Sequence, residues 1–351
     1  MKNQYWSVPL PEEFIAGFVG RLSWLNCKQS IFSFIQSCGK NRTFGPRSNV
    51  ERELTTIGAA IGIEKSALIH HHSLIPLAQA ITRSSVYTPH GENFLNFSSW
   101  KKVFKLQKRS AAFCPACSEE DLNFHGFSYW RRHHQVLGIL WCEKHQGTAL
   151  RHVGHHRAFE APPDHWEPQF FDAPPPSLPS QPFPLYCRYS NICSEFLDRH
   201  APHNLDLARS VLRHRIRHGG PNWSSRLGQP IISDLALQQS KRGWIDTVFT
   251  DWQSKRPGAA FAPLDSVRYQ AENGSIHAYC LAIAVLFENP DSALAELFKP
   301  QPSIPTLLKD MDLDFCANNG KCLSHDDSYT PLQRSSQTKL ASPQHLPIRG
   351  P

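Results

Sequence analysis

The chain has 351 residues, of which 40% are apolar and only 19% charged, with 28 prolines and a formal net charge of +7. That length exceeds one ordinary domain, and the positive balance fits nucleic acid better than an acidic protein surface. The opening MKNQYWSVPLPEEF has no apolar signal-peptide core, and the longest apolar run, 278–287, is too short to cross a bilayer. The expectation is a soluble intracellular protein without a membrane partner, in which ten cysteines point to metal rather than to disulfides.

Residues 1–110 read as a helical domain. After Pro11, the apolar residues Phe14, Ile15, Phe18, Leu22 and Leu25 recur at helical spacing, and Ile31, Phe32, Phe34 and Ile35 follow in a second segment. In 51–69, Leu54, Ile57 and Ile61 mark one helix, Gly62 can close it, and Ser66, Ala67, Leu68 and Ile69 continue another. The pattern is a helix-turn-helix, and a plain helical hairpin fits it equally well. Residues 111–160 hold a metal motif. Over 161–184 nine of twenty-four residues are proline, which predicts an extended, semi-rigid linker. Residues 185–298 are helical again: Leu205, Ala208, Leu212 and Ile216 form a stripe ending at Gly219-Gly220, and a second helix-turn-helix-like unit follows in 228–249. From 299 to 351 the composition turns polar, with Pro and Ser, and predicts a disordered tail. The fold class expected is mainly α and multi-domain, with helix-turn-helix units and a small zinc-ribbon insertion.

The metal motif is Cys114-x-x-Cys117, 24 intervening residues, then Cys142-x-x-His145. Each knuckle presents two ligands, and two knuckles complete the closed tetrahedron of structural zinc. Thiolates and an imidazole suit zinc rather than calcium or magnesium. With four protein ligands no position stays open for an activated water, so the motif points to a structural role and to metal-dependent folding. The spacer exceeds the common ribbon range and predicts a helix over 129–139, on which His133 and His134 read as surface or packing histidines rather than as alternative ligands. His152, His155, His156, Cys187 and Cys193 fit no standard ligand spacing. Cys27, Cys38 and Cys280 read as small buried apolar residues.

Two basic clusters could face DNA. In 208–220, Arg209, Arg213 and Arg217 fall at i, i+4 and i+8 on one helical face, flanked by Arg215, His214 and His218. Just before the first knuckle lie Lys101, Lys102 and Lys105 with Lys108 and Arg109. A merely solvated basic face explains either cluster as well as a phosphate contact does.

The segments Pro11-Glu12-Glu13-Phe14 with Arg21, Cys114-Pro115-Ala116-Cys117, Tyr129-Trp130-Arg131-Arg132, and Cys142-Glu143-Lys144-His145-Gln146-Gly147 with Leu150 together resemble the TniQ/TnsD family of transposon target-selection proteins. The likeness spans 9–150, with a looser match in the later half. Gln146 separates His145 from Gly147, and where many members carry further cysteine pairs this chain has HVGHH and prolines. The resemblance implies a bacterial, cytoplasmic, non-catalytic role. Such proteins recognise target DNA or a CRISPR effector complex with its guide RNA, then recruit an AAA+ ATPase regulator and through it the transposase. The residues agree: there is no phosphate-cradling G-x-x-x-x-G-K-[ST] loop and no carboxylate set for two-metal chemistry. A stand-alone zinc-containing helix-turn-helix transcription regulator is the competing reading. A zinc hydrolase would need an open coordination position. A homodimer is compatible with paired DNA half-sites.

Overall fold

The computed structural model describes residues 5–38, 50–82, 110–173, 178–218, 231–241, 243–268 and 275–298. The apolar residues after Pro11 form α1 (Ile15–Leu25), which is buried continuously from Ile15 to Ser23. It has no polar face and is a core helix. A Cβ on Gly17 would lie 2.7 Å from the Trp130 ring, and one on Gly20 only 1.6 Å from the Phe159 carbonyl oxygen. These two glycines therefore set how closely α1 approaches Trp130, between the two knuckles, and the turn at Phe159 that follows them.

Helix α2 (Ile31–Cys38) begins with a reciprocal cap, in which the Ser33 N–H donates to Ser30 Oγ and the Ser30 N–H to Ser33 Oγ, both at 3.1 Å. The pair read as a helix-turn-helix is α3 (Val50–Ile61) and α4 (Lys65–His72). Gly62 turns between them at φ +73, and the Ile63 N–H closes back on the Gly58 carbonyl at 3.0 Å. A short α5 (Ile75–Ala78) leads into β1 (Ile81–Thr82).

Among the described residues there are two two-stranded sheets. In one, β2 (Ala111–Phe113) pairs antiparallel with β3 (Arg151–Val153), Ala112 opposite His152. In the other, β1 pairs parallel with β4 (His203–Asn204), which ties the N-terminal helices to the C-terminal ones. Helix α6 (Pro115–His125) follows β2. The proline-rich stretch makes single turns at Pro163–His165 and Pro168–Phe170. It is tied back by Trp130, whose indole N–H donates to the Ala161 carbonyl at 2.8 Å, and by Asp164, which accepts from the Ser128 N–H at 2.9 Å.

The later helices are α7 (Pro184–Asp198), α8 (Leu205–His218), α9 (Ile232–Gln239), α10 (Ala262–Asp265), α11 (Ile276–Leu286) and α12 (Pro290–Leu297). Every residue of α11 is buried, with α7, α8 and α9 packed around it. A buried helix end leaves carbonyls without intrahelical partners. Here three side chains from three helices supply them: Arg188 to Ala284 at 2.7 Å, Gln239 to Val285 at 3.3 Å, and Arg215 to Leu286 at 3.2 Å.

The fold is mainly helical. The buried apolar residues of the segments divided at 110, 160 and 184 belong to one continuous core, within the unit Met1–Lys299. The second unit, Pro300–Pro351, lies outside the described residues, as do Lys101, Lys102, Lys105, Lys108 and Arg109. Among the described residues no helix is long and apolar enough to cross a membrane.

Candidate metal centre

Cys114 is the last extended residue before α6, and Pro115, whose fixed φ suits the first helical turn, starts that helix immediately after it. Cys117 then sits in the first turn. The second knuckle is a tight hairpin: Trp141 bridges Ala149, and the Cys142 N–H donates to the Thr148 carbonyl at 2.9 Å. The Thr148 N–H returns to the His145 carbonyl at 2.8 Å, and Gly147 takes φ +86, a left-handed conformation that costs glycine nothing.

The two knuckles bring Cys114, Cys117, Cys142 and His145 together, with all four ligand atoms within 4.8 Å of one another. Cys117 Sγ lies 3.6 Å from Cys142 Sγ, far beyond a disulfide bond. His145 Nδ1 lies 3.3 Å from Cys117 Sγ and 3.7 Å from both Cys114 Sγ and Cys142 Sγ. A tetrahedral site with metal–sulfur bonds of about 2.3 Å and a metal–nitrogen bond of about 2.0 Å has edges of roughly 3.5–3.8 Å. The separations of 3.3–3.7 Å around Cys117, Cys142 and His145 lie close to that figure. The group could hold a metal ion, and its three sulfurs and one imidazole fit a thiophilic divalent cation.

Proton chemistry points the same way. The contact between the two thiols holds Cys142 far below its ordinary value and pushes Cys117 up. Burial raises Cys114. Three crowded thiols and an imidazole cannot all keep ordinary protonation, and a bound cation replaces the protons they would share.

The surroundings hold the ribbon rigid. Gln135, fully buried, accepts from the Ala112 N–H at 3.0 Å and donates to the Ala112 carbonyl at 2.7 Å, standing in for a third strand along β2. Arg131 grips Asp121 of α6 with two parallel bonds of 2.7 and 2.8 Å and lies over the Tyr129 ring. Arg132, 1% exposed, donates to the His70 carbonyl at 2.6 Å and pairs with Glu12 and Asp198. Glu13 pairs with Arg21 at 2.6 Å, and the Phe14 N–H donates to the Trp130 carbonyl at 2.6 Å. The Pro11–Phe14 segment and the Tyr-Trp-Arg-Arg segment, far apart in sequence, therefore lie side by side.

Several expectations need correction. The spacer helix occupies Pro115–His125 rather than 129–139, where only the single turn His133–Gln135 is helical. Pro115 starts that helix, and Gly126, left-handed at φ +77, ends it. Gly138, at φ +82 against the Tyr189 and Val248 side chains, breaks the later segment. His134 is buried and His133 faces Glu143 at 3.7 Å, so both are packing residues, carried on that single turn rather than on a longer spacer helix. Cys27 is exposed, while Cys280 is buried as expected, and the side chain of Cys38 lies outside the described residues. Among the described residues His152, His155, His156, Cys187 and Cys193 do not gather into a metal-holding group.

The arginines of α8 divide. Arg209 is 2% exposed and faces Asp206 at 3.6 Å, which takes it off the outward face. Arg215 caps α11 and lies over the Phe287 ring at 4.9 Å, so it too is committed inward. Arg213 is half-buried and reaches the Arg209 carbonyl, and Arg217 is exposed. The spacing of charges along a helix does not reveal which of them a neighbouring helix end recruits.

Sequence reasoning missed Glu120, one helical turn beyond Cys117, whose Oε1 lies 2.9 Å from His145 Nε2. An acidic residue three positions after the second cysteine of a knuckle was the available signal. Gln135 gave none, because its partner Ala112 lies 23 positions away.

No curated protein matches the chain. Residues 5–148, which run from the segment paired with Tyr129–Arg132 through the whole Cys3His group, match the family model described as TniQ. That segment therefore carries a TniQ domain, which supports a transposition-associated protein.

Proposed function

We propose that the chain is a non-catalytic targeting adaptor of transposition whose ribbon is held by structural zinc at Cys114, Cys117, Cys142 and His145. The observation that carries this reading is the closed donor set: four protein ligands at tetrahedral spacing, inside the segment that matches TniQ. Bound there, zinc would cross-link the two knuckles, and a closed set leaves no site for an activated water. The chain's own residues do the rest, joining ribbon, N-terminal helices and α7 through Arg132. The partners of this reading are target DNA or an RNA-guided CRISPR effector complex on one side. On the other are an AAA+ ATPase regulator and the transposase it brings.

The side chains of α8 and α4 favour an address read through a partner. Arg209 and Arg215 are turned inward, and the exposed residues at the second helix of the helix-turn-helix are Glu64 at its N-cap, Ser66 and His71 rather than a basic row. The test is DNA binding by the purified, zinc-loaded chain across a salt series, on the flanking sequence of its own element and on scrambled duplex. Co-purification with an AAA+ ATPase encoded beside the chain's gene, where one is found, is measured alongside. Weak, sequence-blind DNA binding together with ATPase capture supports the adaptor. Strong site preference without the ATPase returns the reading to a stand-alone regulator.

A further inference from the structure

We infer that Glu120 is a positioning residue of the metal centre: it orients His145 for binding through Nδ1 and clamps the second knuckle onto α6. This inference rests on the metal reading above and adds a residue to it.

An imidazole can bind a metal through either ring nitrogen, and the hydrogen bond made by the other nitrogen decides which one is available. In this chain the two ring nitrogens face different partners. His145 Nδ1 faces the three sulfurs at 3.3 to 3.7 Å, while Nε2 lies 2.9 Å from Glu120 Oε1. A carboxylate only accepts, so Nε2 carries the proton, and in the neutral ring this leaves the Nδ1 lone pair for a metal ion held among the sulfurs. The second oxygen of Glu120 accepts from Lys144 Nζ, on the residue just before His145. One carboxylate thus grips two successive residues of the second knuckle.

The placement follows from helical geometry. Glu120 is three residues after Cys117 on α6, so both project from the same side of that helix. The next residue, Asp121, is held by Arg131 in the bidentate pair. Helix α6 therefore carries an inner ligand, the outer partner of a second ligand, and an anchor to the Tyr-Trp-Arg-Arg segment. A dication with three thiolates and a neutral imidazole carries a net charge of −1, which Glu120 would deepen and Lys144 offsets. The pairing with Lys144 keeps that extra negative charge local and balanced.

Glu120 is half-exposed on a helix, so substitutions there leave the core intact. The test measures the zinc affinity of the full chain by competition with a chromophoric chelator, and records the d–d spectrum of the cobalt(II)-substituted protein. Glu120→Ala and Glu120→Lys, neither of which can accept from Nε2–H, should each weaken zinc binding about 10- to 100-fold and alter the cobalt spectrum. Glu120→Gln keeps an acceptor and should recover most of the affinity. Lys144→Ala should change it less than about threefold, since an exposed ion pair contributes little by itself. Wild-type affinity and spectrum in both Glu120→Ala and Glu120→Lys would overturn the inference. A wild-type chain that takes up no stoichiometric zinc would instead overturn the metal reading beneath it.

Discussion

Arg132 and Glu12, 120 positions apart, are joined through both main chain and side chain. The Arg132 N–H donates to the Glu12 carbonyl at 2.9 Å, and its guanidinium pairs with the Glu12 carboxylate, Nη2 lying 3.2 Å from Oε1. Glu12 holds a left-handed backbone at φ +59. Such a conformation costs a non-glycine residue about 1–3 kcal/mol and persists only where its surroundings fix it. Arg132 is what fixes it, while also reaching the His70 carbonyl and the Asp198 carboxylate.

Arg132→Ala should therefore lower stability by about 3 kcal/mol, read as a fall in the urea midpoint. A buried guanidinium with several partners is lost, and a strained turn loses its support. Arg132→Lys should recover less than half of that loss, because an ammonium cannot span the forked set of acceptors. A lysine variant as stable as the wild type would show that charge alone, not the fork, holds the junction.

The glycines of α1 give a prediction opposite in sign to helix propensity. In an exposed helix Gly→Ala stabilises by about 1 kcal/mol. Gly20→Ala should instead destabilise by roughly 2 kcal/mol or more, because its methyl group would meet the Phe159 backbone. Gly147→Ala makes a useful contrast: nothing lies within 4 Å of the added atom, and only its left-handed φ is strained. Its cost should stay near 1 kcal/mol. Thermal unfolding of the two variants would rank them, and the reverse order would mean that α1 does not pack against the 158–160 turn as described.

Much of the site was legible because paired metal-holding knuckles obey local spacing: Cys114, Cys117, Cys142 and His145, which could hold a metal ion, fall within two four-residue windows. The helical hairpin was legible through Leu54, Ile57 and Gly62 for the same reason, since period and punctuation are local. What escaped was non-local. Arg215 and the Leu286 carbonyl are 71 positions apart, so nothing in the basic run of α8 shows that one of its arginines serves a helix end elsewhere. The spacer helix was misplaced for another cause. Spacer length alone predicted a helix without locating it, whereas Pro115 and Gly126 carry the start and stop information.

Acid should destabilise the fold through His72. Burial lowers its pKa from 6.5 to about 4, although a hydrogen bond with the Glu13 carbonyl at 2.9 Å opposes the shift. In the unfolded chain it titrates at its ordinary value. Between pH 6.5 and pH 4 the unfolded state therefore binds the extra proton, and stability falls as pH drops through that window, levelling off below pH 4. The slope from this residue approaches about 1.4 kcal/mol per pH unit. His72→Gln, which keeps a donor for Glu13 and cannot titrate, should be flatter by about 1 kcal/mol per unit in denaturant titrations at stepped pH. Metal release in acid affects both proteins alike, so the difference between them isolates His72. Parallel curves would assign the acid sensitivity elsewhere.

The division of labour on α8 makes the last prediction. Arg217 is exposed near the end of the helix, whereas Arg215 is spent on the Leu286 carbonyl and the Phe287 ring. If the chain contacts DNA through this helix, Arg217→Ala should reduce the slope of log affinity against log salt by about 1, the signature of one lost phosphate contact, with stability unchanged. Arg215→Ala should leave that slope alone and cost about 1 kcal/mol of stability, since the carbonyl it caps loses a charged donor. Fluorescence anisotropy on a labelled duplex, paired with urea unfolding of each variant, separates the two effects. Equal losses of salt slope would place both arginines on one phosphate-facing surface and contradict the inward role of Arg215. No change of slope in either variant would take DNA contact off α8, as expected of an adaptor whose address is read by its partner.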